Sequence, residues 1–303
     1  MKKIIRSTHD SKTRDPFIIK HNGMYYQIFT HDCLVLSMVC SETIEGLESA
    51  TPKVVWTPDK EEYSKELWAP ELHILNGKCY IYVACDDGDN YHHRMYVLEN
   101  NSNNPMDTYH VHGMLTDSTN KWAIDGNLIE YNGELLYFWS GWEGERNVRQ
   151  NIYGAKMTDP FTISSERVMI STPTYDWEKI ACTPEDEEGA PFINEGPFAF
   201  CHNNELYLAY SGSGSWDVGY CIAFLKLTGN DPLDANNWYK FDKPVLSCND
   251  IVKGAGHCSI IDDNGKKLVF FHGWDVSCET IMWNTVDTWV GELIFDGDEI
   301  IIK

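Results

Sequence analysis

Five segments of this chain share one layout, and that recurrence limits the fold more than any other feature. They are DPFIIKHNGMYYQIF from Asp15, APELHILNGKCYIYV from Ala69, DGNLIEYNGELLYFW from Asp125, EGPFAFCHNNELYLAY from Glu195 and HCSIIDDNGKKLVFF from His257. Each opens on a distinctive residue, runs through an apolar strand, meets a tight turn and continues into a strand of aromatic or β-branched residues. Four turns are Asn-Gly (Asn22-Gly23, Asn76-Gly77, Asn132-Gly133, Asn264-Gly265) and the fifth is Asn203-Asn204. Both residues of such a pair tolerate positive φ, so Asn-Gly between apolar runs is a strong hairpin signal. The turns begin 54 to 71 residues apart. A period near ~50 with several short strands per unit is that of a propeller blade. Further strands fill the units at RMYVLEN from Arg94, QNIYGAKM from Gln150 and GYCIAFLKL from Gly219, and no long stretch has helical periodicity. A β-sandwich also has many short strands, but it gives no reason for one motif to recur five times. The expectation is an all-β chain, a five-bladed β-propeller spanning residues 1–303 as a single domain.

Ring closure brings equivalent positions together. The first strand of each blade lies beside the central channel, so Asp15, Ala69, Asp125, Glu195 and His257 are expected at one mouth. The lead residue stands seven positions before the turn in four repeats and eight in the Glu195 repeat, which suggests a bulge or a shifted start there. Taken singly, Asp15 before Pro16, Asp125 before Gly126 and Glu195 before Gly196-Pro197 read as ordinary turns. Taken as equivalent positions, they form a carboxyl cluster. Crowding and burial push such pKa values apart, leaving one group protonated and another ionised. Glycoside hydrolysis needs that pair, an acid for the departing oxygen and a carboxylate on the other side. A calcium site is a competing use of the same oxygens, although the imidazole of His257 is a poor calcium ligand.

Composition narrows the partners. The net charge is −22, which repels nucleic acid and anionic membrane surfaces and suits a neutral substrate. Aromatic residues make up 13% of the chain, with 11 Trp and 16 Tyr, enough to supply both a β core and faces for sugar rings. No segment approaches the ~20 apolar residues of a membrane span. The N-terminal MKKIIRSTHD has only Ile4–Ile5 as an apolar run, too short for a signal-peptide core. Ten cysteines occur without a CxxC pair. The expectation drawn from these features is a cytoplasmic protein with reduced cysteines, several of them, such as Cys79, Cys85 and Cys201, being small core residues. DDGDN from Asp86 lacks the EF-hand pattern and reads as a solvated turn. Asp186, Glu187 and Glu188 lie in the longest polar insertion and read as a solvated acidic loop.

The segments DPFIIKHNGMYY, WAPELHILNGKCYIYVA, AIDGNLIEYNG, NEGPFAF and GAGHCSI resemble, in order and over nearly the whole chain, the motif set of glycoside hydrolase family 43. The resemblance implies a five-bladed propeller and an inverting mechanism. It makes Asp15 the general base, Glu195 the general acid and Asp125 the third acidic residue, which orients the acid and raises its pKa. Trp68 becomes a wall of the sugar pocket, Ala69 the small slot that leaves the sugar room, and His257 the axial histidine that faces a central ion or its waters. No cofactor is required; a structural Ca²⁺ or other ion on the axis is compatible with the pattern. Trp139 and His31 are further candidates for the pocket, with core packing or a surface loop as the alternative for each. One departure concerns arginine: relatives often carry one in the fifth blade near the substrate, and ETIMWNTVDTW from Glu279 has none.

Many β-xylosidases of this type carry a C-terminal β-sandwich, whereas this sequence ends at Lys303. Short relatives with WAPELH and EGP segments resemble α-L-arabinofuranosidases. The expectation is exo-acting release of terminal α-L-arabinofuranose from arabino-oligosaccharides or arabinoxylan fragments. β-Xylosidase and endo-arabinanase are the alternatives within the family, and a non-catalytic sugar-binding or interaction propeller is the alternative outside it. Homo-oligomerisation is left open.

Overall fold

A computed structural model describes residues 1–7, 11–184, 187–297 and 299–303. All five turns close two-residue hairpins, pairing His21 with Met24, Leu75 with Lys78, Tyr131 with Glu134, His202 with Glu205 and Asp263 with Lys266. The five asparagines take φ of 50–51°, and the residue after each is also at positive φ. That is the turn whose twist matches paired strands, and it explains the Asn-Gly choice.

Each hairpin is the inner half of an antiparallel unit. The first holds Phe17–His21, Met24–His31, Val35–Ser41 and Lys53–Trp56; the second holds Lys65–Leu75, Lys78–Asp86, Arg94–Glu99 and His110–Leu115. The third runs Ala123–Tyr131, Glu134–Gly141 and Arg149–Asp159, with Val168–Ser171 along its outer edge; the fourth runs Phe192–His202, Glu205–Gly212, Cys221–Leu227 and Trp238–Lys240. The fifth has Val252–Asp263, Lys266–Asp275 and Asp287–Asp296. Its outer position is shared by Glu299–Ile302 and the N-terminal strand Lys2–Ile5. The third and fourth units touch through a short parallel pairing of Arg149 with Phe192 and Gln150 with Ile193. Helix is confined to short turns, the longest α-helical one being Gly46–Ser49 among the described residues.

Packing closes the ring. Five apolar clusters lie between consecutive blades: one and two (Ile28 with Leu72), two and three (Tyr82 with Tyr137), three and four (Phe138 with Leu208), four and five (Phe224 with Phe271), and five and one (Phe270 with Ile18). Both faces of each sheet are therefore covered. Continuous apolar strands such as YIYVAC follow from that, where a half-solvated sheet would alternate. Cys79 and Cys85 are buried in the first of these clusters, while Cys201 is half-buried at the edge of another.

The inner strands share a second irregularity. Trp68 pairs with Ala84 but Glu71 with Tyr82; Ile124 pairs with Ser140 but Asn127 with Phe138; Glu195 pairs with Ser211 but Phe198 with Ala209; Gly256 pairs with His272 but Ser259 with Phe270. Each is a bulge of one extra residue, which bends a strand and re-aims a side chain. At each bulge one residue has positive φ: Ala69 (40°), Asp125 (57°), Gly196 (56°) and His257 (50°), with Asp15 (44°) in the same place before the first inner strand. This corrects the expected layout of the fourth repeat. Its equivalent residue is Gly196, seven positions before Asn203 like the others, and Glu195 precedes it.

Candidate active site

The bulges make two rings of side chains at one end of the channel. The positive-φ ring is Asp15, Ala69, Asp125, Gly196 and His257; the preceding ring is Arg14, Trp68, Ile124, Glu195 and Gly256. Every one of these except the two glycines lines a single cavity of about 610 Å³. The three acids expected to converge do so, with Trp68, Ala69 and His257 beside them. Because Glu195 belongs to the second ring, its carboxyl enters from a different direction than those of Asp15 and Asp125.

Their environments differ sharply. Burial alone would raise the pKa of Asp15, but the charge of His257, with help from His272 and Arg14, holds it well below the usual carboxylate range. His257 Nδ1 lies 3.4 Å from Asp15 Oδ1, and the Asp15 amide donates to His272 Nδ1 at 3.1 Å. Glu195 is pushed up to about 8 by burial and then by the charge of Asp125. Its Oε1 accepts from the Tyr220 hydroxyl at 2.8 Å. Asp125 is raised by burial as well, while its Oδ2 accepts the Gly196 amide N–H at 2.9 Å, which favours its ionised form. Burial would lower His257, but Asp15, Asp125 and Glu195 raise it to about 9. The cavity floor thus sets Asp15, held low, against Glu195, held high, with His257 raised among the carboxyls.

Below it, Asn127 Nδ2 donates to Glu71 Oε2 at 2.7 Å, and His73 Nε2 lies 2.8 Å from the same oxygen. Burial raises Glu71 well above its usual value and lowers His73 to about 3. Among the described residues no three His, Cys, Asp or Glu side chains converge as a metal site. His257 is turned toward Asp15, its Nδ1 3.4 Å from Asp15 Oδ1.

The walls are aromatic. Trp68 stacks on His93 at 4.1 Å and donates from Nε1 to Glu66, and Phe29, Trp122, Trp216 and Trp283 add further rings to the lining. Two expected pocket residues are elsewhere. Trp139 is buried between Tyr137 and Tyr153 in the core of blades two and three. His31 ends its strand with its side chain 51% exposed, 3.6 Å from Asp32, and is carried outside by the positive-φ turn at Asp32 and Cys33. DDGDN is also not wholly solvated: Asp86 is fully buried against His93, 2.7 Å from its Nδ1. Of the acidic loop, Asp186 lies outside the described residues, Glu187 and Glu188 are exposed, and the following Gly189, Ala190 and Pro191 reach the cavity.

Tyr220, His272 and Arg14 were not foreseen. Tyr220 stands just before the strand Cys221–Leu227 and His272 on Lys266–Asp275, neither with a repeat signature at that position, although an imidazole inside VFFHGW was a signal. Arg14 lines the cavity with its guanidinium 5.7 Å over the Trp283 ring, so the first blade supplies a cation against the fifth blade, whose own segment has no arginine.

The model of the glycosyl hydrolases family 43 matches residues 7–285. The chain belongs to glycosyl hydrolase family 43. It is therefore a glycoside hydrolase with that family's five-bladed propeller. Among curated family 43 relatives, an extracellular exo-α-(1→5)-L-arabinofuranosidase of Streptomyces chartreusis is 30% identical over 85% of this chain and 78% of its own length. α-L-Arabinofuranosidase 43 of Humicola insolens is 30% identical over 85% of this chain but 54% of its own, so the chain spans about half of that relative. A solved α-L-arabinofuranosidase of Lactobacillus brevis superposes with a TM-score of 0.85 at 26% identity, covering 96% of this chain and 93% of that one. The expectation of a cytoplasmic protein is overturned by the description of the Streptomyces relatives as extracellular.

Proposed function

We propose that this family 43 enzyme is an inverting, exo-acting α-L-arabinofuranosidase that removes terminal arabinofuranose from neutral arabino-oligosaccharides or arabinoxylan fragments. The observation that carries the reading is the placement of two carboxyls on one cavity in opposed settings, Asp15 with His257 3.4 Å away and Glu195 buried against the Tyr220 hydroxyl at 2.8 Å. The arabinofuranosidase relatives support the choice of sugar.

In this mechanism Asp15 accepts a proton from water as the water oxygen attacks C1, and Glu195 gives its proton to the departing glycosidic oxygen as the C1–O bond breaks. Asp125 holds the proton on Glu195 through its negative charge, and His257 and His272 keep Asp15 a base. Ala69 leaves space where a larger residue would meet the ring, and Trp68 offers it a flat face.

Aryl α-L-arabinofuranoside and aryl β-D-xyloside, assayed side by side, test the sugar; turnover confined to the xyloside, or absent on both with folded protein, overturns the reading. Asp15→Ala should abolish hydrolysis for every leaving group, by about 10³-fold or more. Proton NMR of the first-formed sugar should show the β-anomer, and an α-anomer would rule out inversion.

A further inference from the structure

Behind Glu195 lies a buried polar network that the reaction itself does not use. Glu178, with its side chain fully buried, sits in the short turn Asp176–Glu178 between blades three and four. Its carboxylate accepts from the Thr174 amide at 2.6 Å, the Tyr175 amide at 2.8 Å, Asn194 Nδ2 at 2.8 Å and the Tyr210 hydroxyl at 3.0 Å, and pairs with Lys240 Nζ at 2.5 Å. So complete a set of donors around one carboxylate leaves little freedom to whatever it holds.

What it holds is Asn194, the residue immediately before Glu195. Successive side chains on a strand point to opposite faces, so Asn194 points away from the cavity while Glu195 points into it. Asn194 is anchored from several sides. Its Oδ1 accepts from Ser171 Oγ at 2.7 Å and from Lys240 Nζ at 3.2 Å, and its carbonyl accepts from Ser140 Oγ at 3.0 Å. Ser140 and Ser171 belong to blade three; Asn194, Tyr210 and Lys240 belong to blade four. The network therefore crosses the seam between blades and grips the backbone of Glu195 one residue from its Cα. On the cavity side the Glu195 carboxyl accepts from the Tyr220 hydroxyl.

We infer that Glu178 and Asn194 are positioning residues for proton transfer: they fix the carboxyl of Glu195 against the leaving-group oxygen, with Lys240 and Ser171 holding Asn194 in place. Proton donation is geometrically strict, and a small misplacement far from the reacting atoms can cost 10²-fold. A network serving only to join the blades would instead lower activity uniformly by reducing the folded fraction.

The inference rests on the reading of Glu195 as the acid, and the experiment separates the two. Asn194→Ala, Ser171→Ala and Glu195→Ala are compared with the parent on 2,4-dinitrophenyl α-L-arabinofuranoside, whose leaving group needs no proton, and on α-1,5-arabinobiose, whose leaving group does. Folded fraction is set by thermal melting, and rates are taken well below each midpoint. Asn194→Ala should lose about 10²-fold in kcat on arabinobiose and less than about 5-fold on the dinitrophenyl substrate, with Ser171→Ala smaller in the same direction. Should Asn194→Ala fail to fold, Ser171→Ala reads the same contact. Equal losses on both substrates, or no loss on arabinobiose, in the folded network variants overturn the inference while Glu195→Ala still shows the selective loss. If Glu195→Ala itself loses both activities equally, the acid assignment falls and this inference falls with it.

Discussion

Glu195 and Asp15 are the same kind of group made opposite by their neighbours, and the difference is readable as stability. The pKa of Glu195 is raised from 4.5 to about 8 in the folded protein. Between those values the folded state holds a proton that the unfolded state has released, so this residue's contribution to stability falls as pH climbs from about 4.5 to about 8. Asp15 works the other way: its depressed value supplies stability above the unfolded pKa that is lost on acidification. His257, raised from 6.5 to about 9, contributes fully below 6.5, and that contribution disappears as pH rises through 9. Glu195→Gln keeps an acceptor for Tyr220 but never ionises. It should stabilise the fold by about 1–3 kcal/mol at pH 8.5 and by little at pH 5, measured by denaturant titration at both values. A variant less stable than the parent at pH 8.5 would mean that Glu195 is not strained by its site. The parent's kcat/KM should decline above about pH 8, as the acid of the free enzyme loses its proton.

At the scale of elements, the hairpins were legible because their turns require two residues at positive φ, and few residue types accept that. The bulges were not, since nothing in the letters of Ala69-Pro70 or His257-Cys258 announces an unpaired residue. Only the spacing of eight at Glu195 hinted at it, and it pointed one residue away from Gly196. The site was legible to the same extent. Residues at the head of the repeated strand could be found by counting, whereas His272 comes from the return strand of its hairpin, and Tyr220 and Glu178 from connecting segments, at no fixed spacing. Trp139 failed because an aromatic on a doubly covered sheet faces a neighbouring blade as readily as a sugar. The second blade shows how such a sheet also props the cavity wall. Trp68 rests on His93, which is buried against Asp86, and Asp86 also accepts the Gly88 amide at 2.8 Å. Asp86→Ala leaves His93 buried without its partner and should cost about 2–4 kcal/mol in denaturant unfolding. In the fraction that stays folded, KM should rise several-fold with a smaller change in kcat. An unchanged KM would detach this pair from Trp68.

The whole molecule is a ring held by a latch. Lys2–Ile5 joins the fifth blade, where Ile4 and Ile5 are 4% and 2% exposed and Lys3 Nζ lies 2.7 Å from Asp287 and 3.1 Å from Asp275. Through the cluster with Ile18 and Phe29, the same strand seals the fifth blade to the first. Ile5→Ala should therefore lower unfolding stability by about 2–5 kcal/mol. A loss under 1 kcal/mol would show that closure does not depend on this strand.

The latch also sets when an active enzyme can first exist. Lys3 finds its partner only when Trp289 has been made. At roughly 5–20 residues per second the early strand waits on the order of tens of seconds. His257 and His272, which keep Asp15 ionised, emerge near the end of that interval. A ribosome-bound chain with four finished blades would already carry all three acids but not the blade that sets His257 and His272 against Asp15, so the cavity is complete only once the last blade closes the ring.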